Sequence, residues 1–351
     1  MSNQYSKIII GSRGSDLALW QANFVKNKLE TLGRIVEIKI IQTKGDKIQH
    51  LSFDKIEGKG FFTKEIEKAL IDKEIDLAVH SLKDLETDQP EGLYLGAVPN
   101  RENPSDCLLI NKNAVDESQE LNIKKNAIVG TSSARRKNQL LLFREDLKIQ
   151  DLRGNVPTRV NKLSTGNYDG IVLAKAGLNR LELDLSSFFV VDFPPQYFIP
   201  APAQGALGLQ IRENDFPLKD VLSKLNDGVT HENVNFERNI LNGIGGGCHS
   251  PFGAYSELND EAGRTTWVTF ANKVDEKPFR FVTKSEDVGA IVSKVKSNLI
   301  SKKIWISRSL NEDSIFKKLL SNFGNEVVGK SLIDKKIITQ TSLPNCDWIF
   351  I

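Results

Sequence analysis

The sequence predicts an α/β protein with three domains and a short additional C-terminal fragment. Three observations favour this fold class. Short apolar strands alternate with amphipathic helices, the alternation restarts after a polar stretch at 111–125, and a chain of 351 residues has room for two to three domains. The β-α-β-α-β order favours largely parallel, doubly wound sheets.

The first unit begins with an apolar strand at 7–10, which ends in a glycine-rich turn. Ser15 or Asp16 can cap the helix that follows, because its apolar residues recur at helical spacing directly after them. Further elements are expected at 36–41 (strand), 63–71 (helix) and 76–80 (strand). This unit therefore has the predicted order β-α-β-α-β.

The same pattern returns in the later units. The second unit is expected to contain a strand at 127–130, a helix at 135–143 capped by Ser132 or Ser133, a loop and helix at 153–163 and a strand at 168–174. Prolines between 193 and 202 indicate a passage between domains. A third unit spans about 221–302, with strands at 267–271 and 279–283, and the C-terminal fragment has strands at 304–307 and 348–351 and a helix near 314–322.

Charge and cysteine usage exclude several classes of protein. The net charge of +2 argues against a general binder of polyanions. The three cysteines are widely spaced and form no C-x-x-C pair, which argues against a zinc or redox site and favours a reducing cytosol. Apolar stretches stay far below the roughly 18 residues of a membrane span, and the run at 8–10 is too short for a signal-peptide core. We therefore expect a cytoplasmic protein without a metal site, membrane contact or nucleic-acid partner.

The arginines are concentrated in one part of the chain. Six of the 14 arginines lie between residues 135 and 180, where even spacing would place fewer than two, and Arg13 follows the first strand at a helix start. Ligands of open α/β sheets bind beyond the carboxyl ends of strands, and guanidinium forks match carboxylates. The cluster indicates a site for several anions, although surface ion pairs explain any single arginine equally well. Arg144, which Glu145 and Asp146 flank, is expected at the surface.

Two further residues stand in positions suited to chemistry. Asp84 follows an apolar strand and a lysine, where a carboxylate can stabilise charge or act as a general acid or base; a helix-capping aspartate is the alternative. Cys248 ends a segment that nearly fits G-x-G-x-x-G, but its last place is cysteine and no clear strand precedes it, so we reject a dinucleotide site. The glycine-rich loop can present the thiol to a bulky group; a buried structural cysteine is the alternative.

Taken together, these motifs resemble the porphobilinogen deaminase family, also called hydroxymethylbilane synthases, from about residue 8 to residue 302. The motifs follow the family's order: G-S-R at 11–13, L-A-L-W-Q-A at 17–22, G-K-G at 58–60, A-V-H-S-L-K-D at 78–84, V-G-T-S-S at 129–133, R-R at 135–136, R-G-N-V at 153–156, A-G-L at 176–178, P-A-Q-G-A at 202–206 and G-G-C at 246–248. No single motif is decisive, whereas the set is specific.

The resemblance implies an enzyme that joins four porphobilinogens into hydroxymethylbilane and releases ammonia, in tetrapyrrole (heme) biosynthesis. It implies a dipyrromethane cofactor, made from substrate and held by a thioether to Cys248, and it makes Asp84 the catalytic carboxylate. The cofactor-binding residues that it implies are Cys248, Lys83, Asp84, Ser132, Arg135, Arg136, Arg153 and Gly154. The substrate-binding residues that it implies are Arg13, Ser15, Arg153, Arg159, Arg180 and Gln204. The segment that resembles the family's mobile lid contains Lys55, Lys59 and Phe62.

The family's fold is three α/β domains, of which the first two resemble the lobes of a periplasmic binding protein with the active cleft between them. The implied domains are 1–105 plus 203–223, 106–202, and 224–302, which is a small α/β domain that carries the cofactor cysteine. The resemblance also implies a monomer whose product passes to uroporphyrinogen-III synthase. The sequence departs from the family's pattern at Lys44, Lys175, Gly245 and His249. The resemblance does not predict what these four departures do.

The fragment at 303–351 lies outside this resemblance and is similar to the opening of uroporphyrinogen-III synthase. We expect a truncated remnant of a fusion without the second activity; uroporphyrinogen III formation by the purified chain would refute this. Two other functions fit the sequence less well. A solute-binding protein leaves Cys248 and the third domain unexplained and usually carries a secretion signal, and a nucleic-acid binder conflicts with the net charge of +2.

Overall fold

The structure is a computed structural model that describes residues 7–43, 63–246, 250–259, 263–274 and 276–298, and the backbone of three short strands beyond them. The strands are β1 (Lys7–Ser12), β2 (Ile35–Ile40), β3 (Leu77–Ser81), β4 (Leu93–Ala97), β5 (Asp106–Asn111), β6 (Ile128–Gly130), β7 (Lys148–Gln150), β8 (Gly170–Ala174), β9 (Phe188–Phe193), β10 (Leu207–Arg212), β11 (Phe252–Asn259), β12 (Gly263–Phe270), β13 (Phe279–Thr283), β14 (Lys303–Ile306), β15 (Glu326–Gly329) and β16 (Asp347–Trp348). The helices are α1 (Asp16–Thr31), α2 (Lys64–Ile71), α3 (Ala134–Phe143), α4 (Val156–Ser164), α5 (Lys175–Leu181), α6 (Phe216–Ser223), α7 (Gly228–Gly243) and α8 (Val288–Asn298). The predicted α/β class is confirmed.

The first lobe is built on a five-stranded sheet of order β2-β1-β3-β10-β4. β3 is buried at four of its five residues because helices cover both faces of the sheet. Leu77 and Val79 join the core that includes α1, whereas Ala78 packs with Ile66 and Leu70 of α2 on the other face. The carboxyl end of β3, which carries the candidate site, is therefore anchored from two sides.

The second lobe repeats the arrangement of the first, with a sheet of order β7-β6-β8-β5-β9. In each lobe the fourth strand runs antiparallel to both neighbours, β10 in the first and β5 in the second. β5 enters through a first crossover (98–105) from the first lobe, and β10 returns through a second crossover (194–206). Four of the five strands in each of these sheets run in one direction, but each sheet is mixed, because the strand that a crossover delivers pairs antiparallel with both of its neighbours. The largely parallel sheets that the sequence predicted are thus interrupted at β10 and β5.

The third domain is an antiparallel sheet of order β11-β12-β13 covered by α7 and α8. Its core joins Phe236 and Ile240 of α7 with Phe252, Val268 and Ile291. α7 also contacts the first lobe and the crossovers, and it leads into the glycine-rich loop. The third domain is therefore positioned to hold that loop beside the lobes.

The C-terminal fragment contributes a small parallel sheet in which β14 pairs with both β15 and β16. This parallel pairing agrees with the predicted β-α-β start, whereas the helix expected near 314–322 lies outside the described residues. Within the part of the chain that the structure describes, no helix is both long and apolar enough to cross a membrane.

Candidate active site

The predicted catalytic carboxylate stands on a short turn at the end of β3. This turn (Leu82–Asp84), named the catalytic turn after the prediction for Asp84, buries Leu82 and leaves Asp84 exposed. The Leu82 backbone N–H donates to the Ala206 carbonyl at 3.0 Å, and Arg238 of α7 donates to the Leu82 carbonyl at 3.0 Å. The second crossover and the third domain thus hold the turn in place, and Asp84 ends this turn instead of capping a helix.

Arg135 and Arg136 lie on a buried carboxylate that the sequence predictions missed. Asp106, the first residue of β5, accepts from Arg135 Nη1 at 2.7 Å and from Arg136 Nε and Nη2 at 3.1 and 2.8 Å. The Gln204 side chain donates to the same carboxylate at 3.0 Å from the second crossover. The sequence signal that could have revealed Asp106 is an aspartate opening an apolar strand, since a carboxylate buried there requires cationic partners.

Lys83 extends this group of side chains to the first lobe. Its Nζ donates to Oε1 of Gln204 at 3.5 Å. Burial lowers the pKa of Lys83 to about 8, and the charge of Arg136 acts in the same direction, while Asp84 and Asp106 oppose the shift. Lys83, the middle residue of the turn, therefore shares its surroundings with the arginine pair of the second lobe.

Arg153 and Arg159 bring further cations toward the catalytic turn. Gly154 between them has a φ of +111°, and a Cβ there would lie 2.6 Å from a side-chain atom of α4, so glycine is required. Arg159 Nε donates to the Gly154 carbonyl at 2.8 Å. Burial lowers the pKa of Arg159 to about 10, with Arg136 and Arg153 adding to the shift and Asp84 opposing it. These charges thus act on one another across the site.

The two candidate serines bond to the backbone. Ser132 Oγ donates to the Leu152 carbonyl at 3.1 Å and accepts from the Leu152 N–H at 3.0 Å. Ser15 caps α1 by accepting from the Ala18 N–H at 3.4 Å. Ser132 therefore fixes the loop that carries Arg153, and Ser15 fixes the helix start beside the first strand.

Arg180 lies at the contact between the lobes, and Arg13 follows the first strand. Arg13 is half-buried directly after β1. Arg180 of α5 donates through Nη2 to the Gly205 carbonyl at 2.7 Å, and its guanidinium lies 5.7 Å from the ring centroid of Trp20 on α1. Burial lowers the pKa of Arg180 to about 10, against the charge of Glu102. In the structure, Arg180 thus links the second lobe to the second crossover and to α1.

Several predicted residues lie outside the described residues: the cofactor cysteine Cys248, its neighbour His249, the departure at Lys44, and Lys55, Lys59 and Phe62 of the predicted lid. Gly246, at the neck of the cysteine loop, lines a small pocket together with Lys83 and Arg238. The base of that loop therefore lies beside the catalytic turn. Among the described residues, no group of three or more His, Cys, Asp and Glu side chains could hold a metal ion.

The expectation that Arg144 lies at the surface is wrong. Arg144 is buried and donates through Nη1 to the carbonyls of Glu120 and Ile123 at 2.7 and 2.9 Å. It also forms a bidentate pair with Asp146 at 2.7 and 2.8 Å. The acidic neighbour Asp146, taken as a sign of exposure, is instead the half-buried partner of the buried guanidinium, and the hydrogen bond from Arg144 lowers the pKa of Asp146. Arg144 holds the loop before β6 and is separate from the site.

Comparison with known proteins identifies relatives of this chain. Residues 8–220 match the family model described as porphobilinogen deaminase, dipyromethane cofactor binding domain. The chain is 47% identical over 262 residues to a porphobilinogen deaminase of Maridesulfovibrio salexigens, which covers 74% of this chain and 83% of that protein. It is 40% identical over 321 residues to one of Listeria monocytogenes, which covers 89% of this chain and 98% of that protein.

Proposed function

The chain belongs to the porphobilinogen deaminase family, and from this premise we propose how its residues join four porphobilinogens into hydroxymethylbilane. The reaction is a transferase step of tetrapyrrole (heme) biosynthesis that releases ammonia. The observation that carries the proposal is the group of cations from both lobes around Asp84. Each porphobilinogen brings two carboxylates, so the growing product accumulates negative charge, and guanidinium groups compensate for it without titrating.

The donors around the catalytic turn fit a dipyrromethane that carries acetate and propionate groups. Bidentate guanidiniums and a lysine are the side chains that pair best with carboxylates, and they come from both lobes. Gly246 beside Lys83 supports attachment through Cys248, because the base of the cysteine loop reaches the same pocket. When bound, the cofactor supplies the pyrrole carbon from which the product grows. The residues assigned to hold it are Lys83, Ser132, Arg135, Arg136, Arg153 and Gly154.

Asp84 is assigned the catalytic role. Departure of ammonia leaves positive charge on the substrate pyrrole, and a carboxylate held beside it stabilises that charge. The turn held by Arg238 and Ala206 keeps Asp84 in one place during each coupling. The substrate carboxylates are assigned to Arg13, Ser15, Arg153, Arg159 and Arg180. Gln204, which the resemblance also implied, already donates its amide hydrogens to Asp106 and to the Pro104 carbonyl, so we assign it a supporting place behind these residues.

The experiment compares Asp84→Asn with Glu91→Gln, a matched change at an exposed carboxylate of the same lobe. We expect Asp84→Asn to retain the covalent cofactor by intact mass and to lose turnover by at least about a hundredfold, because its charge stabilises the transition state. Glu91→Gln should keep both. Normal ammonia release by Asp84→Asn would contradict the assigned role.

The proposal extends to the protein's surroundings. We infer a cytoplasmic monomer that binds porphobilinogen and whose product is consumed by a separate uroporphyrinogen-III synthase. Light scattering that returns twice the chain mass would overturn the monomer. Unchanged transfer of hydroxymethylbilane when the two enzymes are separated by a dialysis membrane would show that direct contact between them is unnecessary.

A further inference from the structure

We propose that Asp106 is a positioning residue, which holds the cations of both lobes in one arrangement toward the carboxylates of cofactor and substrate. The inference rests on the proposed function, and it concerns a residue for which neither the sequence motifs nor the family resemblance suggested a role. Asp106 is fully buried, so it acts through the side chains that it contacts.

The position of Asp106 in the fold supports this role. Asp106 stands where the first crossover becomes β5, and Gln204 comes from the second crossover. Arg135 and Arg136 approach the same carboxylate from α3, with nitrogen–oxygen distances of 2.7 and 2.8 Å. Both connections between the lobes therefore meet the arginine pair at one carboxylate.

The negative charge of Asp106 also supports this role. Two adjacent buried guanidiniums repel each other, and the carboxylate between them reduces that cost while leaving one positive charge uncompensated among these three side chains. Burial alone would raise the pKa of Asp106, but Arg135 and Arg136 hold it below its usual range. The carboxylate is thus a permanent anion that lets two arginines stay buried beside the site.

A connection from Asp106 to the first lobe supports this role as well. Gln204 donates to Asp106 at 3.0 Å and accepts from Lys83 at 3.5 Å. Gln204 also donates to the Pro104 carbonyl at 2.8 Å, which fixes the orientation of its amide. Asp106 is therefore connected to Lys83 by one ordered side chain, and its charge supports the protonated state of that lysine.

The test measures two properties of Asp106→Asn in the full-length protein. The first is the fraction of chains that carry the covalent cofactor, by intact mass. The second is the pH midpoint for acetylation of Lys83 by acetic anhydride, by peptide mass spectrometry in a Cys248→Ser background, so that bound cofactor does not differ between samples. Asp192→Asn is the matched control, because Asp192 also accepts from a lysine (Lys175, 2.7 Å) but is exposed.

The expected results have a direction that a purely structural role would not give. Removing the negative charge should shift the Lys83 midpoint to lower pH by about one unit, and the loaded fraction should fall at least severalfold. A variant that merely loosens the fold would hydrate Lys83 and move its midpoint upward, toward the ordinary pKa. A raised or unchanged midpoint together with full loading would overturn the proposal.

A second variant covers the case in which Asp106→Asn does not fold. Gln204→Met keeps the carboxylate and both arginines but removes the connection to Lys83. We expect reduced loading and a lower Lys83 midpoint; wild-type values for both would overturn the inference. The two proposals fail differently: an unloaded wild-type protein contradicts the proposed function, whereas a loaded wild type with unaffected variants contradicts only the role of Asp106.

Discussion

Glu237 offers a quantitative test of how the third domain is attached. Its fully buried carboxylate accepts from Arg101 Nη1 and Nη2 at 2.8 and 3.0 Å. It also accepts from the backbone N–H of Ala203 at 2.7 Å and of Ser256 at 2.9 Å. One side chain of α7 thus joins both crossovers and β11, so Glu237→Leu removes a bond to each of them.

The loss of unfolding free energy expected for Glu237→Leu follows from the burial of its ion pair with Arg101. Removing one partner of a buried ion pair costs about 3–5 kcal/mol, because the other charge stays buried without compensation. At about 2 °C per kcal/mol, the lower end of the range for large chains, the apparent Tm should fall by about 6–10 °C. The double variant Arg101→Met/Glu237→Leu should recover part of this loss, since it removes the uncompensated charge while the two backbone donors stay unpaired in both variants.

The assay is differential scanning calorimetry of the two single variants and the double variant at one scan rate. The coupling between Arg101 and Glu237 is the double-variant loss minus the sum of the single losses. Losses that add to within about 0.5 kcal/mol would refute the ion pair as a coupled unit. A Glu237→Leu protein with the wild-type Tm would refute the assigned magnitude.

Three further predictions concern stability outside the ion pair. Arg144→Met should lower the Tm without changing turnover, because it leaves backbone carbonyls unpaired far from the site. Lys148→Ala, at an exposed position, should change neither the Tm nor turnover. A turnover defect in a folded Arg144→Met protein would contradict this prediction. Gly205→Ala should lower the Tm more than Gly166→Ala. Both glycines have a positive φ, but only the new Cβ at position 205 would lie 2.3 Å from a carbonyl oxygen. Equal losses of Tm would contradict this close approach. Burial lowers the pKa of His80 to about 4, so between about pH 6.5 and 4 the unfolded chain binds a proton that the folded chain does not. Stability should therefore fall by about 3 kcal/mol as the pH drops through that window, and His80→Gln should reduce this slope in urea titrations.

Local patterns predicted much of the fold. The apolar residues at 76–80 indicated a strand, which the structure places at Leu77–Ser81, and Ser15 and Ser133 cap helices where the sequence indicated caps. The antiparallel strands β5 and β10 could not be predicted from the β-α-β order, because each enters its sheet through a crossover instead of a helix. Pairing across such distances depends on contacts that no local window contains.

The candidate site shows the same limit. Acidic neighbours predicted an exposed Arg144, yet Arg144 is buried, as Arg135 is; Arg135 joins Asp106 beside the site, and Arg144 holds the loop before β6. The bond between Lys83 and Gln204 spans 121 positions of the chain. Residue types and motifs therefore nominated the cations of the candidate site, whereas the common buried partner of Arg135 and Arg136 emerged only from the fold.

Covalent priming at the cysteine loop is the central claim of the proposed function. The most direct measurement is the intact mass of the freshly purified protein, compared with Cys248→Ser prepared in the same way. The account predicts a mass increment equal to one dipyrromethane on the wild-type chain and its complete loss in Cys248→Ser. A wild-type chain at its sequence mass that still forms hydroxymethylbilane, or a Cys248→Ser protein that keeps the increment, would contradict it.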